Sequence, residues 1–264
     1  MRLVPSLLFA LIAATSPARA AEPLRVLFIG NSYTFVNNVP ALLEAVAAQQ
    51  GASVDTDMLV APAATLDDFV EAETVLERLA RERWDAVVLQ ELGGHLACLA
   101  SGERPRPTPC AASIAAHRKL AKLARAGGAQ VIVFGTWSMT DGVQGLVSKG
   151  SRRVAGQVGA KLADVGWMLD RARKRDPALA LFHPDRHLQP TGSVLAAIAL
   201  WQALSGRSVS AVPFHAEVPV WPGAAFSLRR YVSEQTRRLP EPETLAIDLS
   251  AAQVEILAAA AKLD

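Results

Sequence analysis

The sequence predicts a single α/β domain in which helices cover both faces of a parallel sheet. Short apolar runs rich in branched side chains alternate with longer segments of helical character, the pattern of repeated strand–helix units. The apolar runs are nearly continuous, as in strands buried on both faces. Because crossovers between parallel strands are right-handed, the expected architecture is a three-layer α/β/α sandwich whose post-strand loops gather at one edge.

The element boundaries follow from where apolar runs begin and where Gly, Pro or polar residues interrupt them. We predict strands at Leu24–Ile29, Ser53–Val60, Ala86–Gln90 and Val131–Phe134. We predict helices at Val39–Gln49, Leu66–Arg83, Ala111–Ala126 and Ser151–Leu162, a helix that opens at Gly192, and a last one from Ser250 or Ala251 to Ala261. The proline-rich segment Gly94–Pro109 is predicted to be a long irregular loop at the functional edge.

Residues 1–20 have the pattern of an export signal. Arg2 supplies the positive start, Leu7–Ala14 the apolar stretch, and Ala18-Arg19-Ala20 a small-x-small cleavage site. We expect cleavage after Ala20 and one domain over residues 21–264, in a secreted or periplasmic protein. The apolar stretch is too short to span a bilayer, and no later segment is long and apolar enough to do so.

The charge balance argues against a nucleic-acid partner. The whole chain has 27 basic and 25 acidic residues, but two of the arginines lie in the export signal. The mature chain is therefore neutral, and no basic cluster of the kind that nucleic-acid binding requires is evident. The sequence does not specify an oligomeric state.

Two cysteines, Cys98 and Cys110, flank the long loop. An exported chain meets oxidising conditions, so a disulfide between them is expected, worth on the order of 3 kcal/mol in the chain-entropy model. Their separation does not suit a zinc knuckle, and no second Cys or His pair accompanies them.

Ser32 lies on the turn after the first predicted strand. Gly30 ends the strand, and Asn31-Ser32 then precede a helix at the edge where open α/β sheets bind ligands. A serine placed there can act as a nucleophile. Alternatively, Ser32 or Asn31 simply caps the helix that follows.

A second candidate segment, Phe182–Ala197, contains His187 in a loop before a helix, with Asp185 nearby. A histidine in this position can act as a general base, and a carboxylate can orient its ring. The alternative is a solvated His-Pro-Asp turn. The four-residue spacing of His183 and His187 does not predict a metal site, because Pro184 opposes a helix and no third ligand is evident.

Taken together, these segments resemble the SGNH, or GDSL-type, hydrolase superfamily. Its first block matches Gly30-Asn31-Ser32-Tyr33-Thr34, and its last block matches the stretch from His187 to Gly192. Ala63-Ala64-Thr65-Leu66 is similar to the second block. Val87-Val88-Leu89-Gln90-Glu91 is similar to the third block in a branch that has Gln in place of Asn.

The resemblance implies a flavodoxin-like sheet and a serine esterase that needs no cofactor. Ser32 would be the nucleophile, His187 the base and Asp185 the residue that orients it. The oxyanion hole would consist of the backbone N–H groups of Ser32 and Ala63 (or Ala64) and the Gln90 side-chain amide.

The sequence departs from the superfamily pattern at two positions. Ala63 stands where glycine is usual, so a positive φ there would be costlier. The superfamily places its Asp three residues before the His, whereas Asp185 is only two before His187.

We therefore expect an exported acyl-ester hydrolase acting on a small-molecule or polysaccharide ester, for example as a carbohydrate O-deacetylase. One alternative is an acyltransferase in which a sugar hydroxyl replaces water. Another is a catalytically silent envelope protein that binds carbohydrate on the same fold. Trp137, after the fourth strand, could contact a sugar or an acyl group, or belong to the core.

Overall fold

The predicted parallel sheet is present in the computed structural model, which describes residues 22–100, 108–138, 140, 142–222 and 240–262. Its five strands are β1 (Leu24–Gly30), β2 (Val54–Val60), β3 (Ala86–Gln90), β4 (Gln130–Phe134) and β5 (Lys161–Ala163). All neighbouring pairs are parallel, in the order β2-β1-β3-β4-β5. This is the flavodoxin-like order, so the predicted fold class is confirmed. The export signal predicted at residues 1–20 lies outside the described residues.

Helices cover both faces of the sheet. They are α1 (Ser32–Phe35), α2 (Val39–Gln49), α3 (Glu73–Arg81), α4 (Thr108–Ala126), α5 (Gln144–Val158), α6 (Val165–Arg175), α7 (Pro190–Ser205) and α8 (Ala251–Ala261). Val26 and Phe28 of β1 join the core formed with α2, α6, α7 and α8. Leu27 and Ile29 join the core formed with α3, α4 and α5, so the alternation of strand side chains separates two cores and gives three layers.

Two predicted helices have different boundaries in the structure. The segment Leu66–Arg83 is divided into a single 3-10 turn at Leu66–Phe69, which begins at a Thr65–Asp68 capping box, and helix α3. The segment Ser151–Leu162 is the end of α5 followed by β5. The helix stops at Gly159, which has a φ of +61° and can adopt this left-handed conformation without strain.

Sequence reasoning missed two features of the second half. Helix α6 was not predicted because charged residues dominate its sequence. The antiparallel pair β6 (Phe214–Val220) and β7 (Glu243–Leu249) was not predicted because prolines interrupt this region. Pro219 is tolerated because these two strands form a sheet of their own, in which both are edge strands.

The segment predicted as the long loop Gly94–Pro109 is partly ordered. A 3-10 turn covers His95–Leu99, and α4 already begins at Thr108, since a proline is tolerated in the first turn of a helix. The predicted disulfide joins Cys98 to Cys110, with their Cα atoms 6.1 Å apart. It thereby ties the 3-10 turn to α4 across residues 101–107, which lie outside the described part of the chain. In that described part, no helix has the length and apolar character needed to cross a membrane.

Candidate active site

Ser32 begins helix α1 at the carboxyl end of β1. The residue that caps this helix is Asn31, whose Oδ1 accepts from the backbone N–H of Tyr33 at 3.1 Å. Asn31 is fully buried, and its Nδ2 donates to the Ala64 carbonyl at 2.8 Å. The capping role considered for Ser32 or Asn31 therefore belongs to Asn31. Within the described residues, neither the Ser32 hydroxyl nor its backbone N–H has a hydrogen-bond partner.

Asp185 contacts the ring of His187 despite the short spacing. Its Oδ2 lies 3.0 Å from His187 Nδ1, and its Oδ1 accepts from the His187 backbone N–H at 3.1 Å. A three-residue hairpin loop makes this possible: His183 and His187 pair through N–H···O=C at 2.8 Å, and Arg186 has a φ of +78°. The hydrogen bond from His187 lowers the pKa of the Asp185 carboxyl. Because an ionised carboxylate only accepts, Nδ1 carries the hydrogen of this contact, and in the neutral imidazole Nε2 is then the atom with the lone pair.

Aromatic side chains join the His187 loop to the Ser32 turn. The ring of Tyr33, the residue after Ser32, meets the His187 ring edge-on with centroids 5.8 Å apart. Trp137 stacks on Tyr33 at 4.1 Å, and its Nε1 donates to the Arg186 carbonyl at 2.9 Å. Burial raises the pKa of the Tyr33 phenol, because the charged phenolate is disfavoured there.

Asn37 adds a polar link between the same two segments. Its Nδ2 donates to the Leu188 carbonyl at 2.7 Å and to the Ser193 hydroxyl at 3.0 Å. The structure thus brings the two predicted segments together, although 155 positions separate Ser32 from His187 in the printed sequence.

Ser32 and His187 are not hydrogen-bonded to each other in this structure. The Nε2 atom of His187 is buried and has no partner among the described residues. Catalytic hydrogen bonds are commonly long in a substrate-free site and shorten when substrate binds.

The backbone N–H groups of Ser32 and Ala63 are candidates for binding an oxyanion. Ala63 is exposed and has a φ of +55°, and its N–H has no partner in the described part of the chain. The neighbouring Ala64 N–H instead donates to the Ala61 carbonyl at 3.3 Å. Of the two alanines considered from the sequence, Ala63 is therefore the available donor, together with Ser32.

Gln90 supports the turn that carries Ser32. Its Oε1 accepts from the Asn31 N–H at 2.8 Å and from the Thr34 hydroxyl at 2.9 Å, and its Nε2 donates to the Glu91 carbonyl at 2.6 Å. Gly30 permits this approach, since a Cβ there would lie 2.6 Å from Gln90 Oε1. The side chain is fully buried, so the observed contacts are those of a positioning residue. Its part as a third oxyanion donor stays a prediction.

Glu91 is a buried residue to which sequence reasoning gave no role. Its Oε1 accepts from the backbone N–H groups of Leu92 at 2.7 Å and Leu66 at 3.3 Å, and its Oε2 accepts from the Ser113 hydroxyl at 2.6 Å. His117 lies behind Ser113, and its burial lowers its pKa. The available signal was an acidic residue directly after Gln90, at the end of an otherwise apolar strand.

A cavity of about 390 Å³ lies between the segment after β4 and helix α6. Trp137 and Phe182 line its side nearest the His187 loop, and residues of α6 line the other. Trp137 is almost fully buried, so it belongs to the core and also forms part of the cavity wall. Among the described residues, no group of three or more His, Cys, Asp or Glu side chains could hold a metal ion.

No family model and no curated protein matches the sequence. Solved structures do match. A candidate SGNH hydrolase from Slackia heliotrinireducens is 28% identical with a TM-score of 0.55, and the match covers 70% of this chain and 100% of that one. A DUF4886 family protein from Bacteroides uniformis is 17% identical with a TM-score of 0.55, over 72% of this chain and 85% of that one.

A variant of Axe2, an acetyl xylan esterase from Geobacillus stearothermophilus, is also similar. It is 17% identical with a TM-score of 0.50, and the match covers 69% of this chain and 94% of that one. At this identity the likeness concerns the fold. The chain therefore has the α/β/α fold of the SGNH hydrolases that it matches.

Proposed function

We propose that this protein is a serine hydrolase that cleaves carboxylic esters through a covalent acyl-enzyme. The observation that carries the proposal is the meeting of two distant segments: an uncommitted serine at a strand end, and an imidazole that a carboxylate orients with its Nε2 left unpartnered. The 28% identity to a candidate SGNH hydrolase supports the same reaction class.

The proposed reaction starts at the Ser32 hydroxyl. As its oxygen attacks the ester carbonyl, His187 Nε2 takes the proton, and Asp185 stabilises the imidazolium that forms. The negative charge on the carbonyl oxygen is received by the N–H groups of Ser32 and Ala63. These donors are fixed before the reaction begins and do not reorganise when the charge develops.

The tetrahedral intermediate then collapses. The bond to the alcohol oxygen breaks, His187 returns the proton to the leaving alkoxide, and the acyl group remains on Ser32. Water attacks this acyl-enzyme with His187 again as the base, and the second collapse releases the acid and restores the serine. No step requires a cofactor.

We extend the proposal to an exported protein that acts on ester groups of a small molecule or polysaccharide. The disulfide supports an oxidising compartment. The shared fold with an acetyl xylan esterase supports a carbohydrate acetate as substrate.

A panel of p-nitrophenyl esters of increasing acyl length tests the reaction class. We expect the wild type to release p-nitrophenolate, and Ser32→Ala to lose about 10³-fold or more in kcat/KM because the nucleophile is absent. Ser208→Ala is the matched control, since this serine lies on the loop after α7, far along the chain from the proposed site. Equal activity of wild type and Ser32→Ala would rule out the proposed nucleophile.

A further inference from the structure

The cavity beside the proposed active site has one wall built from helix α6. Trp167, Asp170 and Lys174 lie three and four residues apart on this helix, so they share one face. The opposite side holds Trp137, which is stacked on Tyr33 and hydrogen-bonded to the Arg186 carbonyl. Trp137 therefore lies between the cavity and the His187 loop.

The polar groups of this wall form a compact set of donors and acceptors. The Asp170 carboxylate lies 2.7 Å from Lys174 Nζ and 3.4 Å from an Arg173 nitrogen. Its side chain is only 19% exposed, whereas those of the two cations are more than half exposed. Lys174 Nζ also lies 5.9 Å from the centre of the Trp167 ring. The wall therefore offers one acceptor group and two groups that donate, beside an aromatic face.

This composition distinguishes between classes of ligand. An acyl chain would cover Asp170, Arg173 and Lys174 without hydrogen-bonding to them, and desolvating charged groups in this way is unfavourable. A simple anion would meet the Asp170 carboxylate. A sugar offers hydroxyl groups that both donate and accept, and an apolar C–H face that packs on an aromatic ring. The cavity volume of about 390 Å³ falls in the usual range for small-molecule sites.

We propose that this cavity binds the saccharide that carries the ester, with Trp167 packing on the sugar ring and Asp170, Arg173 and Lys174 binding its hydroxyl groups. The inference rests on the proposed esterase function. It specifies that the alcohol part of the substrate, rather than a long acyl chain, enters the cavity.

Substrates with and without a sugar test the proposal. The probes are O-acetylated xylose and glucose, their acetylated oligosaccharides, and ethyl acetate, which has an unactivated alcohol but no ring. We expect the best saccharide acetate to exceed ethyl acetate at least about tenfold in kcat/KM. If ethyl acetate and p-nitrophenyl acetate are cleaved but no saccharide acetate is preferred, the cavity proposal is overturned and the esterase function stands. If no acetate is cleaved, the proposed function fails and the inference fails with it.

Two variants locate the preference in the cavity. For Trp167→Ala and Asp170→Asn we expect the ratio of kcat/KM for the saccharide acetate to kcat/KM for p-nitrophenyl acetate to fall about tenfold, chiefly through KM. The second variant preserves side-chain size and guards against a folding defect in the first. Arg175→Ala is the matched control, because this exposed cation lies on α6 but not in the cavity wall, and the ratio should not change. An unchanged ratio in both cavity variants overturns the proposal.

Discussion

At the residue scale, the conformation of Arg186 compensates for a missing position. The family resemblance places the acid three residues before the histidine, whereas Asp185 is two before His187. A left-handed residue between them turns the Asp185 carboxylate back onto the ring at 3.0 Å. The sequence alone shows that the spacing departs from the superfamily pattern, but it does not show which residue will adopt a positive φ.

Replacing the orienting carboxylate tests this contact. In Asp185→Asn the amide cannot stabilise an imidazolium as a carboxylate does, so we expect kcat to fall by about 10²-fold with KM little changed. This loss of kcat is smaller than for a buried acid of a catalytic triad, because the Asp185 side chain is 68% exposed and water screens its charge. Asp176→Asn, in the segment after α6, is a control that should retain activity. A kcat equal to that of the wild type in Asp185→Asn would show that the carboxylate has no part in the reaction.

The same contact predicts a pH dependence of stability. Hydrogen bonding from His187 lowers the pKa of Asp185 below its ordinary value of 3.8, so the folded state favours the ionised form. The resulting stabilisation is complete above pH 3.8 and is lost as the pH falls through the lowered pKa. Urea unfolding of wild type and Asp185→Asn between pH 5 and pH 2 should therefore give a difference that shrinks toward low pH. A difference that grows on acidification contradicts the assignment.

Ala63 offers a test of backbone strain in the proposed oxyanion hole. A left-handed alanine costs about 1–2 kcal/mol, and replacing it with glycine removes this cost. About 0.4–1 kcal/mol of the gain is lost again, because glycine raises the conformational entropy of the unfolded chain. We therefore expect Ala63→Gly to raise the free energy of unfolding by up to about 1 kcal/mol and to keep activity, because the donor is a backbone N–H. Ala64→Gly is the matched control at a buried neighbour without positive φ, and it should destabilise the protein. Destabilisation of equal size at both positions would contradict the assignment of strain to Ala63.

At the element scale, one buried carboxylate connects three segments around the site. Glu91 follows β3, and its oxygens accept from Leu66 before α3, from Leu92 in the loop after β3, and from Ser113 on α4. Asn31 holds the same loop at Ala64. The loop that carries Ala63 is thus fixed from two sides by buried side chains.

Glu91→Gln should therefore lower both stability and activity. Its amide group would face one of the donors that now bind the carboxylate, and leaving a buried donor unsatisfied costs about 1–3 kcal/mol. We expect a loss of this size in urea unfolding, with a lower kcat because the Ala63 N–H loses its support. Glu71→Gln is the matched control: this exposed glutamate pairs with Lys119 and should change stability by less than about 1 kcal/mol. Equally small changes in stability and kcat for Glu91→Gln and Glu71→Gln would contradict the supporting role of Glu91.

At the scale of the whole molecule, the sequence predicts the sheet better than the helices around it. Strands β1 to β4 are apolar runs with sharp polar ends, and their observed bounds match the predictions to within one residue. Strand β5 was missed because the end of the preceding helix at Gly159 depends on a positive φ. Helix α6 was missed because its charged residues mask its apolar stripe. The C-terminal pair of strands was missed because proline argues against a strand unless the strand lies at an edge.

In the candidate site, too, some residues could be predicted from the sequence and others could not. Ser32 could be found because it follows the break that ends a predicted strand, and His187 because it lies in a loop before a predicted helix. Their support could be found only in part. The sequence pointed to Gln90 and Trp137 but not to their contacts, and it gave Glu91 no role, because all three act through residues distant in the sequence. The cavity wall on α6 could not be found from the sequence either, since this helix was not predicted.

The central claim is that the Ser32 hydroxyl and the His187 imidazole act together, and a fluorophosphonate probe tests it most directly. Such a probe reacts with a serine only when a base activates it. We predict one adduct per chain in the wild type, located by peptide mass spectrometry on Ser32, and none in folded Ser32→Ala or His187→Ala. Absence of an adduct in the folded wild type, or an adduct on Ser32 that persists in His187→Ala, would contradict the account.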